Sequence, residues 1–343
     1  HQTILKIDFE GLNPDVIKKA IVILQNISQL SYVKKICPEI DKSIKKIFDW
    51  SEKLNKILNG ETITQKDNDI FIPLLEISEK ENIYSAGQLE SLTIKINKSK
   101  DEDKFIIIPS EKELENLINE QIKISWNAAK NYVKNFIKRI DNYHEVIINF
   151  NKRSGFCRGN SLGIVLAIKF IEELLKFYNP KFFIVASEGI AITGGLDEKG
   201  KILSIGREII SKKVELIFFS TVEKFVIPKN DEIAARNRLD ELKFHFPKRN
   251  LKLVPVEDLE DLLDRRNIIS IIKQKLIKRT IKFAKQHIYS VIIIVLLTIF
   301  LTYLFSIDLD DNPSFVKLDG KYAYIKNKNG KTLWTIYYPI DDY

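Results

Sequence analysis

Cysteine, histidine and methionine are scarce in this chain, and the scarcity of each argues against a class of protein or site. The two cysteines, Cys37 and Cys157, lie far apart in the sequence, so a disulfide framework is not expected and a reducing compartment fits better. The histidines have no metal-ligand spacing, which argues against a zinc site; they are His1, His144, His245 and His287. We therefore expect no metal and no cofactor.

The chain also contains no methionine and begins with His1, which predicts a fragment or a processed product. Its 343 residues suffice for one large domain or two moderate ones, each with a hydrophobic core.

Positive charge is concentrated in one segment. The net charge is +8, and residues 265–285 carry eight basic side chains and no acid: Arg265, Arg266, Lys273, Lys275, Lys278, Arg279, Lys282 and Lys285. Isoleucines and leucines interleave with these charges, so we predict a basic juxtamembrane helix over 267–287 that lies along an anionic membrane leaflet. Nucleic acid is the weaker alternative partner.

A long uncharged segment follows directly. Residues 288–307, IYSVIIIVLLTIFLTYLFSI, contain no charge, glycine or proline and are long enough to cross the hydrocarbon core of a bilayer as a helix. Basic residues precede this span and Asp308, Asp310 and Asp311 follow it. The positive-inside rule therefore predicts a single-pass membrane protein with residues 1–287 cytoplasmic and residues 308–343 extracytoplasmic.

The remaining patterns divide the chain into regions. Residues 1–62 read as a helical region, and 63–266 alternate strands and helices with short hairpins, which predicts an α+β domain on a mixed sheet. The tail, 308–343, alternates in polarity and has turn signals at Asp319-Gly320 and Asn329-Gly330. It predicts two or three strands, too few to be stable alone, so either the chain continues beyond Tyr343 or the tail pairs with a partner.

One turn carries a candidate nucleophile. Gly159-Asn160-Ser161-Leu162-Gly163 opens into an apolar run that predicts a helix from residue 162 to 178. Two interpretations of Ser161 follow from the residues: a helix N-cap, or a nucleophile on a tight turn. Cys157 is interpreted as a plain loop thiol because no histidine follows at a suggestive position.

From about residue 105 to 266 the order of motifs resembles the proteolytic domain of Lon proteases. After the strand EVIINF the Gly-x-Ser-x-Gly turn is followed by further motifs in the family's order: AITGG at 191–195, GKILSIG at 200–206, FVIPKND at 225–231 and LKLVPVEDLEDLL at 251–263. The chain has no Gly-x-x-x-x-Gly-Lys-Ser/Thr phosphate loop, so any ATPase would be a separate partner.

The resemblance implies a Ser-Lys dyad. It makes Ser161 the nucleophile, Thr193 the residue that orients the lysine, and the Gly159 and Asn160 backbone the oxyanion hole. A gapless comparison puts Ile209 where the lysine is expected, and isoleucine cannot transfer a proton. Lys212 and Lys213, three and four residues further, are the candidate substitutes for the base. Arg158 stands where the family often has an acid.

Two functions follow from these residues. The first is a membrane-anchored, Lon-type serine endopeptidase that acts on cytoplasmic polypeptides. The second is a catalytically inactive Lon-like domain that serves as a membrane-tethered scaffold for a peptide or a partner protein. Both are compatible with a homo-oligomer, and neither involves nucleic acid.

Overall fold

The computed structural model describes residues 9–63, 69–77, 84–109, 112–151, 161–273 and 288–338. The chain forms two compact units, His1–Gln274 and Lys275–Tyr343, which are described separately. Gly159 and Asn160 of the expected oxyanion hole lie outside the described residues, as do Cys157 and Arg158 and most of the strand expected at 3–9.

The first unit is an α+β fold, as expected. Its helices are α1 Pro14–Ser28, α2 Ser31–Ile36, α3 Ile40–Leu58, α4 Lys112–Val133, α5 Gly163–Tyr178, α6 Arg207–Phe218, α7 Glu232–His245 and α8 Leu259–Asp264. Its strands are β1 Ile70–Ile77, β2 Tyr84–Glu90, β3 Leu92–Lys98, β4 Lys104–Ile108, β5 His144–Phe150, β6 Phe182–Ala186, β7 Ile190–Ile192, β8 Gly195–Leu196, β9 Ile202–Leu203, β10 Lys224–Pro228, β11 Lys252–Val256 and β12 Ile269–Lys273.

A five-stranded mixed sheet in the order β11-β10-β7-β1-β2 organises this unit. The pairs from β11 to β1 are parallel, and β2 is antiparallel to β1. A second, three-stranded sheet has the order β3-β5-β4, with β3 antiparallel and β4 parallel to β5. The short strand β7 is therefore the central strand of the larger sheet.

The five-stranded sheet separates two hydrophobic cores. On β7, Ile190 and Ile192 belong to a core shared with α4 and α5, whereas Ala191 belongs to a core shared with α1, α3, α6 and α7. This division follows from the strand repeat, in which successive side chains point to opposite faces. Residue 193, the next along the chain, is directed by the same alternation toward α6.

The basic segment is partly a strand rather than a helix. Within the expected juxtamembrane helix at 267–287, residues Ile269–Lys273 form β12, which pairs antiparallel with β6. Ile269 is buried in the first core, and Ile271 packs against it. Pairing with a neighbouring strand gives these alternate isoleucines a place in the core, so the helix prediction is wrong for these five residues; residues 274–287 lie outside the described part.

The second unit contains a long apolar helix and a small sheet. Helix α9, Ile288–Ser306, has a mean hydropathy of 2.6 and is long and apolar enough to cross a membrane. Three antiparallel strands follow in the order β13-β14-β15, with bounds Phe315–Asp319, Tyr322–Lys326 and Thr332–Tyr337. Among the residues that the structure describes, α9 is thus the one helix that is long and apolar enough to span a membrane.

Candidate active site

Thr193 lies directly after the central strand β7. Its backbone N–H donates to the carbonyl oxygen of Val226 on β10 at 3.1 Å, which continues the strand pairing by one residue. The Thr193 side chain is completely buried. A hydroxyl in such a place needs a hydrogen-bonding partner, because an unpaired buried polar group is costly.

Lys213 supplies that partner. Its Nζ donates to the Oγ1 of Thr193 at 2.9 Å, and the lysine is only 2% exposed. On α6 it shares the buried face with Ile210, Val214 and Ile217, which pack in the core between this helix and the sheet. A lysine in the middle of an apolar helix face is rare unless it is paired, so its position is a feature of the site rather than of the packing.

The lysine that meets Thr193 is therefore Lys213, not a residue at position 209. Ile209 and Lys213 are four residues apart, which places them on the same side of α6 and one turn apart. The gapless comparison therefore points to a position one turn before the lysine that contacts Thr193. Lys212 instead lines a cleft of about 660 Å³ between α6 and α7, together with Ser211 and Asn237.

Ser161 is held beside Thr193 through the backbone. The N–H of Gly194 donates to the carbonyl oxygen of Ser161 at 3.0 Å, and the N–H of Ile164 donates back to the carbonyl oxygen of Gly194 at 3.1 Å. These two bonds fasten the first turn of α5 to the residue that follows Thr193. The backbone of Ser161, two residues before α5, is thus held next to Gly194, while the preceding residue, Thr193, contacts Lys213 of α6. Ser161 is half-buried.

Two glycines permit this close approach. Gly194 has φ +140°, and a Cβ there would lie 2.7 Å from Cδ1 of Ile164. A Cβ on Gly163 would lie 2.7 Å from both the backbone nitrogen of Leu196 and Nε2 of Gln121. A Cβ at Gly163 would therefore displace the backbone at Leu196, and one at Gly194 would displace the Ile164 side chain.

The structure does not support the N-cap interpretation of Ser161. Helix α5 begins at Gly163, its N-cap is Leu162, and the cap makes no side-chain hydrogen bond. Ser161 therefore lies one residue ahead of the cap, on the turn itself. The serine hydroxyl therefore does not cap the helix.

Two residues of α4 support the turn and were not identified from the sequence. Ser125 Oγ donates to the carbonyl oxygen of Gly163 at 2.9 Å, and Gln121 Nε2 donates to the carbonyl oxygen of Leu196 at 3.2 Å. Both side chains are buried. The available signal was their spacing of four residues within the buried stripe of α4, where polar side chains need buried partners.

A second buried polar cluster lies between α4, α5 and β5. His144 Nε2 is 2.6 Å from the hydroxyl oxygen of Tyr178, and His144 Nδ1 is 3.5 Å from Oδ1 of Asp103. Burial lowers the pKa of His144 and raises the pKa of Tyr178 to about 12. Both shifts favour the uncharged side chains, so at neutral pH the tyrosine hydroxyl can donate to an unprotonated imidazole nitrogen.

The ranges described contain no group of three or more His, Cys, Asp or Glu side chains arranged to hold a metal ion. Comparison of the chain with family models and with curated proteins finds no match.

Proposed function

We propose that the chain is a membrane-anchored serine endopeptidase of the Lon type, with Ser161 as nucleophile and Lys213 as general base. The observation that carries this proposal is the buried contact between Lys213 Nζ and Thr193 Oγ1. It supplies the basic side chain that is missing when the sequence is compared without gaps. The backbone hydrogen bond between Ser161 and Gly194 holds the serine next to the residue that follows Thr193.

The burial of Lys213 suits the role of a base. Removing an amine from water disfavours its charged form, and only the neutral amine can accept a proton from a serine hydroxyl. Thr193 fixes the direction of Nζ through its hydrogen bond. A base held in place in this way contributes rate because the geometry of proton transfer is set before the substrate binds.

The reaction has two stages, acylation of Ser161 and hydrolysis of the acyl-enzyme. As Ser161 Oγ attacks the peptide carbonyl carbon, Lys213 takes the hydroxyl proton and the carbonyl oxygen becomes an anion, which the Gly159 and Asn160 amides of the proposed oxyanion hole stabilise. The tetrahedral intermediate then collapses, and Lys213 returns the proton to the leaving amine. Water repeats the sequence on the acyl-enzyme, releasing the acid and regenerating Ser161.

The substrate class proposed here is an unfolded polypeptide, delivered by a separate ATPase where the substrate is folded. The test is turnover of a fluorescently labelled, casein-like unfolded protein by the full chain in detergent or vesicles. Ser161→Ala and Lys213→Met should each lose about 100-fold or more in turnover. Lys212→Met is the matched comparison, because it removes a neighbouring lysine that lines the cleft between α6 and α7, and it should keep activity near the wild type.

Equal turnover by wild type and Ser161→Ala would remove the peptidase proposal and leave the binding scaffold as the function to pursue. Loss in Lys212→Met with full activity in Lys213→Met would assign the base to the other lysine. Folding of each variant is checked by its melting temperature, so that a loss of activity is not confused with unfolding.

Anchoring by α9 is the second part of the proposal. The basic residues before the helix and the aspartates after it support a cytoplasmic first unit and an extracytoplasmic sheet. Reporter fusions before residue 265 should then report the cytoplasm, and fusions after residue 307 the other side. The opposite pattern of reporter activity would reverse this assignment.

A further inference from the structure

One face of the β13-β14-β15 sheet is entirely apolar. The register pairs Val316 with Ile325 and Leu318 with Ala323, and it pairs the same two β14 residues with Trp334 and Ile336. Directly paired residues of antiparallel strands lie on the same face. These six side chains therefore form one contiguous patch, called the apolar face below.

The apolar face is open to solvent. Val316 is 57% exposed, Leu318 64%, Trp334 53% and Ile336 52%. The opposite face is mixed, since it carries Lys317, Asp319, Lys326 and Thr335 together with Phe315, Tyr322, Tyr324 and Tyr337. Only the apolar face lacks polar side chains, and an exposed patch of that kind is typical of a surface that becomes covered.

The sheet is fastened to the end of α9 rather than joined by a free linker. Asn327, which is completely buried, donates to Oδ2 of Asp308 at 2.6 Å and to the carbonyl oxygen of Asp310 at 2.7 Å. Lys331 Nζ donates to the carbonyl oxygen of Asp308 at 2.8 Å. Asp308 lies two residues after the helix, so the turn between β14 and β15 is held next to the helix end.

This attachment orients the strands. Phe315 pairs with Lys326 next to the attached turn, whereas the turn that joins Asp319 to Tyr322 lies at the far end of the sheet. The strands thus extend away from the end of α9. In chains anchored by α9, the sheets of two copies would lie on the same side of the membrane, where their apolar faces could meet.

Helix α9 has a compatible surface. Thr298, Thr302 and Ser306 recur every fourth residue, so they form a ridge of small side chains along one side of the helix. Each hydroxyl bonds to a carbonyl of its own helix, from Ile294, Thr298 and Tyr303 respectively, at 2.7–2.9 Å. Small side chains with satisfied hydroxyls allow two membrane helices to approach closely without leaving a polar group unpaired.

We propose that the apolar face binds the same face of a second copy of this chain, forming a parallel homodimer about a two-fold axis along the membrane normal. With four of its six side chains more than half exposed, the face presents roughly 500 Å², so two copies would remove on the order of 1,000 Å² from water, the area that a specific interface needs. Membrane anchoring adds to this by giving both copies one orientation and a high effective concentration. The inference rests on anchoring by α9 and not on peptidase activity.

The experiment is cysteine cross-linking of the full chain in membranes, in a background where Cys37 and Cys157 are serine. Ala323→Cys places a thiol in the central strand on the apolar face, close to the proposed axis. Tyr324→Cys is the matched control, one residue along the same strand on the opposite face. With a short bifunctional maleimide, Ala323→Cys should give several-fold more covalent dimer than Tyr324→Cys.

The oligomeric state of the wild-type chain is measured in parallel, by energy transfer between labelled copies in vesicles at increasing dilution. Extraction at alkaline pH tests separately whether the chain is integrated in the membrane. Dimers that persist on dilution and are lost in Ile336→Glu support the proposal. Equal cross-linking at 323 and 324, or a wild-type chain that is monomeric while fully membrane-integrated, overturns it. A monomer whose Trp334 fluorescence shifts with lipid composition would assign the face to the bilayer surface instead.

Discussion

A double-mutant cycle on Thr193 and Lys213 would show whether their contact is retained for function. Thr193 is completely buried and Lys213 is 2% exposed, with 2.9 Å between Oγ1 and Nζ. Lys213→Met keeps a long side chain but leaves the Thr193 hydroxyl without its lysine donor. Thr193→Val keeps the shape of the threonine but removes one acceptor of the Lys213 amine.

Each single substitution should destabilise the protein by about 1–3 kcal/mol, the cost of removing one partner of a buried polar group. Replacing both partners by apolar groups of similar shape removes the stranded group, and such exchanges are nearly neutral or stabilising. The double variant should therefore be more stable than Lys213→Met alone by about 1–3 kcal/mol, which corresponds to roughly 2–12 °C in melting temperature for a domain of this size.

The assay is thermal unfolding of the four proteins in the same detergent, together with turnover of an unfolded polypeptide. We expect the double variant to recover stability while remaining as inactive as Lys213→Met, the pattern of a site kept for function at the expense of stability. If the two losses simply add in the double variant, the two side chains are not energetically coupled. The contact with Thr193 would then not be what holds Lys213 in place as a base.

Three further outcomes are expected from thermal unfolding of single variants. Gly200→Ala should lower the free energy of unfolding by about 1–3 kcal/mol, because φ at this position is +82° and strains an alanine although no atom lies nearby. Gly194→Ala should lower it by about 1–3 kcal/mol more, because the added Cβ also meets the Ile164 side chain. Only Gly194→Ala should reduce turnover. Burial lowers the pKa of His144 below its ordinary value of 6.5, so below that pH the unfolded chain binds a proton that the folded protein does not. The free energy of unfolding should therefore fall as the pH drops below about 6.5. His144→Gln should remove that part of the pH dependence. Arg249 donates to the carbonyl oxygens of Phe218, Ser220 and Val222, so Arg249→Met should lower the free energy of unfolding by about 3 kcal/mol or more. The control Arg266→Met replaces an exposed arginine and should change it by no more than about 0.5 kcal/mol. Similar losses in both variants would contradict a stabilising role of the buried Arg249 hydrogen bonds.

Local patterns predicted several elements of the fold. The apolar runs at 162–178 and 288–307 and the alternation of the tail each indicate their own element, so the corresponding helices and strands form where the sequence places them. Helix α7 was missed because its sequence, EIAARNRLDELKFH, is mostly polar and buries only Ala235, Leu239 and Leu242. A narrow buried stripe gives too weak a period to be recognised alone.

The sequence by itself determined which residue types are available to the site: a serine on a glycine-bracketed turn, a threonine after a strand, and lysines on the following helix. Only the tertiary structure decided which lysine meets Thr193, because Ile209, Lys212 and Lys213 lie within about one turn of α6. There, one residue more or less in the preceding loop rotates the helix by about 100° and exchanges the position of one lysine for that of the other. It likewise decided that Ile269–Lys273 is a strand, since the hydrogen-bonding partner that makes it one, β6, is more than eighty residues away in the chain. Contacts between distant segments set both outcomes, and no local pattern encodes them.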